Sequence, residues 1–434
     1  MSERCEVAIV GAGPAGISAA CILADHGVDT VVLERGEFPG AKNISGGVLY
    51  GHDLARILPD FEDRNCPVER NIIESRIWYT SDQGGYSLAY RDKVFAGERR
   101  HNVFTVGRAR FDRWFASQAI QKGALVVCST VVTELLRDNS GKVCGVRTDR
   151  EQGDLEADVV LLADGINSPL AVRTGFRPEP EPEHVALAVK EVIELSEETV
   201  SQRFNVPPED GVTIEILGSI TQGMNGVGAL YTNSKSLSLV VGGNLKDFAQ
   251  LRLKPYDLIE AFKAHPMIAP LIDGGEPKEY MAHWLPEGGF KHVPQLYGDG
   301  FLIAGDSGML FNALHREGSN MAMVSGKLAA ETILQAREQG DFGSASLSAY
   351  TSRLKESFVL NDLKKYKLFP GFLQKHKEIF TLLPGLTSMA AREMLTVDGE
   401  NKKKKQSRIW QAIKRRLSLF RLLRLMFDAW RSVK

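Results

Sequence analysis

The stretch Val7-Ala-Ile-Val-Gly-Ala-Gly-Pro-Ala-Gly16, running on through Ile17-Ser-Ala-Ala-Cys-Ile-Leu-Ala-Asp-His26, decides the fold. An apolar, β-branched run is followed by a glycine turn and then by a small-residue helix. In that order, Gly11 permits a tight turn, Gly13 lets a pyrophosphate approach the backbone, and Gly16 draws the helix close to the sheet. Pro14 and Ala15 lie in the same turn. The phosphates would sit at the positive end of the helix dipole and need no lysine there. A second strand, Thr30-Val-Val-Leu33, ends in Glu34, eighteen residues past Gly16, where a carboxylate would accept both hydroxyls of an adenosine ribose. An acid at that point argues against a 2′-phosphate. A glycine-rich turn alone is weak; strand, helix and acid together predict a dinucleotide site.

The chain has 434 residues, enough for two or three joined domains that bury a cofactor. Charged residues at 25% and hydrophobic ones at 43% are ordinary for a soluble protein. Cys5, Cys21, Cys66, Cys128 and Cys144 are scattered, with no C-x-x-C, so neither a zinc site, an iron–sulfur cluster nor a disulfide framework can be drawn from them. No apolar signal segment precedes the first strand, and no run of eighteen apolar residues occurs. The expected location is the cytoplasm, free or peripheral on the cytoplasmic face of a membrane. No metal and no nucleic acid are expected.

The net charge of −1 hides an asymmetry: residues 402–434 carry twelve Lys or Arg against Asp428 alone, so that tail is +11 and the rest is −12. Trp410, Ile413, Leu417, Phe420, Leu423, Phe427 and Trp430 recur at spacings of three and four, an apolar stripe along a helix whose other face is arginine-rich. Such a helix suits an anionic membrane surface or an acidic partner. The alternative is a helix packed on its own acidic body.

Further motifs fall where an FAD site needs them. Gly107-Arg108 opens a helix with Phe111, Trp114 and Phe115 turned inward, and the Arg108 guanidinium could hold the flavin's diphosphate or ribityl region, unless it is a plain surface arginine. Leu125–Cys128, Val131–Leu136 and Gly145–Thr148 read as a small meander inserted between halves of the nucleotide domain. Val159-Val-Leu-Leu-Ala163 runs into Asp164-Gly165, and Phe301-Leu-Ile-Ala-Gly305 into Asp306, whose carboxylate could accept ribityl hydroxyls at a strand's carboxyl end. Arg316-Glu-Gly-Ser-Asn320 precedes a helix expected over 321–335, whose dipole would favour negative charge on a reduced flavin. Residues from about 180 to 290 carry alternating strands at 185–192, 212–217, 228–231 and 237–241, a mostly antiparallel sheet. The fold class is therefore α/β: a Rossmann-like FAD-binding domain of glutathione-reductase type (1–180 and 295–340), an inserted antiparallel sheet domain for quinone or substrate (181–294), a helical C-terminal region (341–400) and the basic amphipathic tail (401–434).

These motifs in this order, with Gly40-Ala-Lys-Asn-Ile-Ser-Gly-Gly47, Glu287-Gly-Gly-Phe290, His315-Arg-Glu-Gly-Ser-Asn-Met-Ala-Met323 and Asp362-Leu-Lys-Lys-Tyr-Lys367, resemble the FixC flavoproteins, which stand with electron-transfer-flavoprotein:quinone oxidoreductases and, more distantly, geranylgeranyl reductases. The similarity runs from Val7 to about Gly399. The resemblance implies an FAD that takes electrons from a two-subunit electron-transfer flavoprotein, FixA with FixB, and passes them toward quinone. Larger relatives carry an iron–sulfur domain, and the lack of its cysteines here implies a separate ferredoxin-like subunit, FixX. In nitrogen-fixing organisms such a complex also supplies electrons for nitrogenase.

Carried over by motif, Gly11, Gly13, Pro14, Ala15, Gly16, Glu34, Arg35, Lys42, Asn43, Arg108, Val132, Asp164, Gly165, Gly305, Asp306, Gly318, Ser319 and Asn320 would line the FAD, with Lys42 and Asn43 nearest the isoalloxazine ring. Lys42 would favour negative charge on the reduced ring unless it is a solvated loop lysine. His283-Trp284 and His315 could face quinone or partner, though packing explains such residues as well. No side-chain nucleophile is expected, since the flavin is the redox centre. The alternatives are a flavin-dependent reductase of prenyl or lipid C=C bonds and an aromatic hydroxylase using NAD(P)H and oxygen.

Overall fold

In the computed structural model, which describes residues 3–42, 46–96 and 102–434, the apolar run around the glycine turn becomes the strand Glu3–Val10 of a parallel sheet. Its neighbours are Asp154–Leu162 on one side (Val7 opposite Val159) and Thr30–Leu33 on the other (Val7 opposite Thr30). Phe301–Ile303 pairs in parallel with Asp154–Leu162, putting Val160 opposite Phe301. Ile9, Val32, Leu161, Leu162, Leu302 and Ile303 are fully buried in this layer. Removing each such side chain from water contributes about 1.5–3 kcal/mol.

Helix Pro14–Asp25 packs on helix Ser319–Gln339 and on helix Arg108–Gln121. The first contact is close because Gly326 has no side chain: a Cβ there would lie 2.0 Å from the carbonyl oxygen of Ala15. The sequence therefore lets two long helices touch backbone to backbone behind the glycine turn.

All of this lies in one compact unit, formed by Met1–Asn71, Phe95–Val185 and Trp284–Lys364. The second unit comprises Ile72–Val94, Ala186–His283 and Lys365–Lys434. Its sheet is antiparallel: Val185–Glu194 pairs with Ser236–Asn244, which pairs with Gly226–Thr232, which pairs with Asp210–Gly218. A hairpin of Val68–Ser81 and Gly84–Arg91, turning at Asp82-Gln83, extends it. Helices follow from Phe369 to the end of the chain.

Three expectations are corrected. Leu125–Val127 is not part of a meander; it pairs in parallel with Thr30–Leu33 as the sheet's edge, because the chain returns to that sheet through helix Arg108–Gln121, which packs on helix Pro14–Asp25. The antiparallel insert is Val132–Arg137 with Val143–Thr148, which continues onto Asp154–Leu162. The helix expected over 321–335 begins earlier, at Ser319, with Gly318 as its cap, so Ser319 and Asn320 lie within its first turn. The tail is two helices, Lys402–Arg416 and Leu419–Val433, and not one: Leu417 is extended and the Ser418 hydroxyl caps the second helix by accepting the Arg421 N–H.

Candidate functional site

Gly11 stands at φ +103°, and a Cβ there would lie 2.4 Å from the carbonyl oxygen of Ala163, so only glycine takes this turn beside the neighbouring strand end. Helix Pro14–Asp25 then starts without a side-chain cap and without an acid in its first turn. Its dipole is left for an external anion. Above Gly13 a Cβ would meet nothing within 4 Å.

Glu34 does more than the sequence suggested. Its Oε2 accepts the Ala12 N–H at 2.9 Å and its Oε1 accepts the Gly36 N–H at 2.7 Å, which ties the glycine turn to the end of strand Thr30–Leu33. The carboxylate is thus fixed in place, with lone pairs remaining for ribose hydroxyls. Ser129 and Thr130 donate their N–H groups to the carbonyls of Gly36 and Glu34, bringing the buried Val132 to the same edge.

Two more strand ends converge. Ser307 Oγ donates to Asp164 Oδ1 at 3.0 Å and accepts the Gly165 N–H at 2.9 Å; Ser168 Oγ also donates to Asp164 Oδ1, at 2.7 Å. Asp164 Oδ2 is buried without a partner, and burial raises the acid's pKa. The Asp306 carboxyl has no hydrogen-bond partner among the described residues. Burial pushes its pKa up to about 6, against the pull of Arg108 and Arg177. Gly305 is held by Ser325, whose Oγ accepts its N–H at 2.9 Å.

Arg108 is the first residue of its helix, and its Nε and Nη2 grip the buried Asp112 at 3.0 Å each, leaving Nη1 for a ligand. The turn at Gly40 lies against this pair, since a Cβ on Gly40 would be 2.8 Å from that of Asp112. Arg35 and Lys42 are exposed on either side of that turn, and Asn43 lies outside the described residues. Ser319 Oγ donates to the Val48 carbonyl at 3.1 Å, and Asn320 is buried with its Oδ1 unpartnered. Trp284 and His315 are exposed.

Sequence reasoning missed Arg177, fully buried between the loops that carry Asp164 and Asp306. It stands in Gly175-Phe-Arg-Pro178, which matches no motif and belongs to no periodic pattern.

The residues fit a flavin dinucleotide. Buried acceptors on Asp164 and Asn320, an unengaged carboxyl at Asp306 and open space over Gly13 are groups that protein alone leaves unsatisfied. Buried polar atoms are otherwise almost always paired. Hydroxyls, a ring N–H and a diphosphate would complete them.

Comparisons with known proteins agree. Residues 4–42 match the model of an FAD binding domain, and residues 369–434 that of the ETF-QO/FixC family C-terminal domain. The chain is 46% identical to the protein FixC of Azorhizobium caulinodans, covering 99% of this chain and all of that one. It is also 46% identical to FixC of Azotobacter vinelandii, with both chains fully covered. It is 38% identical to the probable electron transfer flavoprotein-quinone oxidoreductase YdiS of Escherichia coli over 92% of each. Among solved structures, a geranylgeranyl bacteriochlorophyll reductase-like protein from Thermoplasma acidophilum superposes with a TM-score of 0.72 over 96% of this chain and 98% of that one, at 20% identity, a likeness of fold.

Proposed function

Because the chain belongs to the ETF-QO/FixC family and is an FAD-dependent oxidoreductase, we propose that it accepts electrons from an electron-transfer flavoprotein of FixA/FixB type and passes them toward quinone, within a complex that includes a ferredoxin-like FixX subunit and supports electron supply for nitrogen fixation. The observation that carries this reading is identity at 46% from end to end with FixC proteins, coupled to 38% with a relative named for both donor and acceptor.

Bound FAD supplies the redox chemistry. The chain's part is to bind and orient it. The glycine turn and the N-terminus of helix Pro14–Asp25 would hold the diphosphate, Glu34 the adenosine ribose, and Asp306 with Arg108 the ribityl chain. The first turn of helix Ser319–Gln339, uncapped by any side chain and free of acids, would favour negative charge on the ring when reduced.

The tail supplies the site of attachment in this reading. Leu419, Phe420, Leu423, Met426, Phe427 and Trp430 are all more than half exposed on helix Leu419–Val433, and Arg421, Arg424, Arg431 and Lys434 share that helix or its end. No helix among the described residues is long and apolar enough to cross a membrane. The helix suits the headgroup layer of an anionic bilayer, where the protein would sit peripherally on the cytoplasmic face.

Anaerobic stopped-flow mixing of the FAD-loaded protein with reduced FixA/FixB-type flavoprotein tests the central claim. Flavin reduction at least about tenfold faster than with NADH, followed by reoxidation by a soluble quinone, is expected. Faster turnover of a prenyl C=C bond, or NADH-driven oxygenation of an aromatic substrate, would replace it.

A further inference from the structure

Burying an arginine costs several kcal/mol unless its donors are met, so a buried one without an ion-pair partner calls for an explanation. Arg177 is 2% exposed and makes no salt bridge with a described residue. Its Nη1 donates to the carbonyl of Ser307 at 3.0 Å, and its Nη2 donates to those of Ile166 at 2.6 Å and Asn167 at 3.3 Å. Its own N–H is fixed on the Ala171 carbonyl at 3.0 Å, while its Nε has no acceptor. One side chain therefore holds the loop that follows Asp164-Gly165 and the loop that follows Gly305-Asp306. Its hydrogen bonds go to neutral carbonyls, so no ion pair cancels its charge, which acts on the acids of those same loops.

Resting on the flavin-site assignment above, we propose that Arg177 is a positioning residue of that site: it clamps the two strand-end loops together and provides the buried positive charge that keeps Asp164 and Asp306 ready to accept hydrogen bonds from FAD. The charged groups that face Asp306 are Arg108 from its helix, itself paired with Asp112, and Arg177 from below; Asp164 is the like charge on the adjoining loop. Both arginines lower the Asp306 pKa, and burial raises it. An ionised Asp306 accepts hydroxyl donors, so FAD binding should weaken as pH falls through about 6. Without Arg177, the carboxyl protonates at higher pH and the weakening begins earlier.

The test is FAD affinity of the full-length protein stripped of flavin, measured by quenching of flavin fluorescence between about pH 5 and 9, where Asp306 titrates. Arg177→Met removes the charge and the clamp and should weaken binding at neutral pH by about tenfold or more, moving the acid limb of the profile upward. Arg177→Lys keeps the charge but not the three-point grip; it should restore the position of the acid limb while leaving affinity below the parent's. Glu34→Ala and Asp306→Ala run in parallel. If these two lose FAD while Arg177→Met binds with the parent's affinity and pH profile, the role of Arg177 is refuted and the site stands. If all three bind normally, the site assignment itself is wrong. If Arg177→Met does not fold, as judged by circular dichroism, Arg177→Lys decides: parental affinity with a parental profile overturns the proposal, and weakened affinity with a parental acid limb supports it.

Discussion

In the first unit the Asp306 carboxyl and the buried Oδ2 of Asp164 meet no hydrogen-bond donor among the described residues, whereas in the second unit Leu419, Phe420, Leu423, Met426, Phe427 and Trp430 stand in solvent. Two charges on helix Leu419–Val433, by contrast, are met: Arg421 by the buried Glu378 at 3.2 Å, and Asp428 by His376 at 2.9 Å and by Lys375. One region holds acceptors that no protein donor meets; the other leaves apolar area in water. An unpaired buried acceptor costs about 1–3 kcal/mol and is recovered only by a ligand bearing donors in a fixed geometry. An exposed phenylalanine or leucine gains about 1.5–3 kcal/mol on burial against any apolar surface, with little demand on geometry. The first kind of deficit selects a specific small molecule, and the second a surface.

The largest expected effect breaks the inward half of that contrast. Glu34→Ala removes the acceptor of two backbone N–H groups, each a charge-assisted bond worth about 1.5–3 kcal/mol, and unties the glycine turn. Asp306→Ala removes the unengaged carboxyl. Both proteins should purify largely free of flavin, read as the ratio of visible to ultraviolet absorbance. Full flavin content in both would show that the unmet acceptors serve packing and not FAD.

That half was also the more legible in sequence. The glycine turn, Glu34 and the Gly305-Asp306 strand end each sit at a junction where apolar residues give way to special ones, and the structure brings them to adjacent parallel strand ends. What escaped was whatever acts through a single residue or a shared spacing. Arg177 belongs to no pattern, because a clamp built on carbonyl acceptors needs only one side chain. The break at Leu417 was hidden because the stripe keeps helical spacing across it; the signal available was Ser418, a good cap residue three before Arg421. Leu125–Val127 was misassigned because a three-residue apolar run looks alike in a meander and at a parallel edge.

A smaller effect tests the outward half. Replacing Phe420, Leu423 and Phe427 together by Glu puts acids on the exposed face, where each side chain is already more than half in water. Flotation with vesicles containing anionic lipid should fall by about tenfold or more, since apolar insertion and attraction near the surface, about 1 kcal/mol per basic residue, are both weakened. Flavin content should stay at the parent's level. Deleting residues 402–434 should act the same way but less cleanly, because it also removes the buried Lys405, whose Nζ donates to the Thr396 carbonyl at 2.6 Å. If flotation persisted in the triple variant, the exposed face would not be the attachment surface, and the comparison between the two deficits would lose its second term.

The smallest effect asks how firmly that helix is held. Lys375 and His376 lower the Asp428 pKa to about 2, from an ordinary 3.8. A carboxylate lowered in the folded state adds stability that is fully present above the ordinary value and is lost as pH falls toward the lowered one. Asp428 should therefore keep helix Leu419–Val433 in place at neutral pH and let go between about pH 4 and 2. Because Lys375 faces solvent and Asp428 is only partly covered, the gain is slight and salt should diminish it. Limited proteolysis by pepsin should cut the tail increasingly across that interval in the parent. Asp428→Asn should already be cut at the upper end, and the difference between the two should shrink in high salt. Equal cleavage of both proteins at pH 4 would mean that Arg421 and Glu378 hold the helix without help. In that case the helix would be held by the buried Arg421–Glu378 pair, and Asp428 would be an ordinary surface acid.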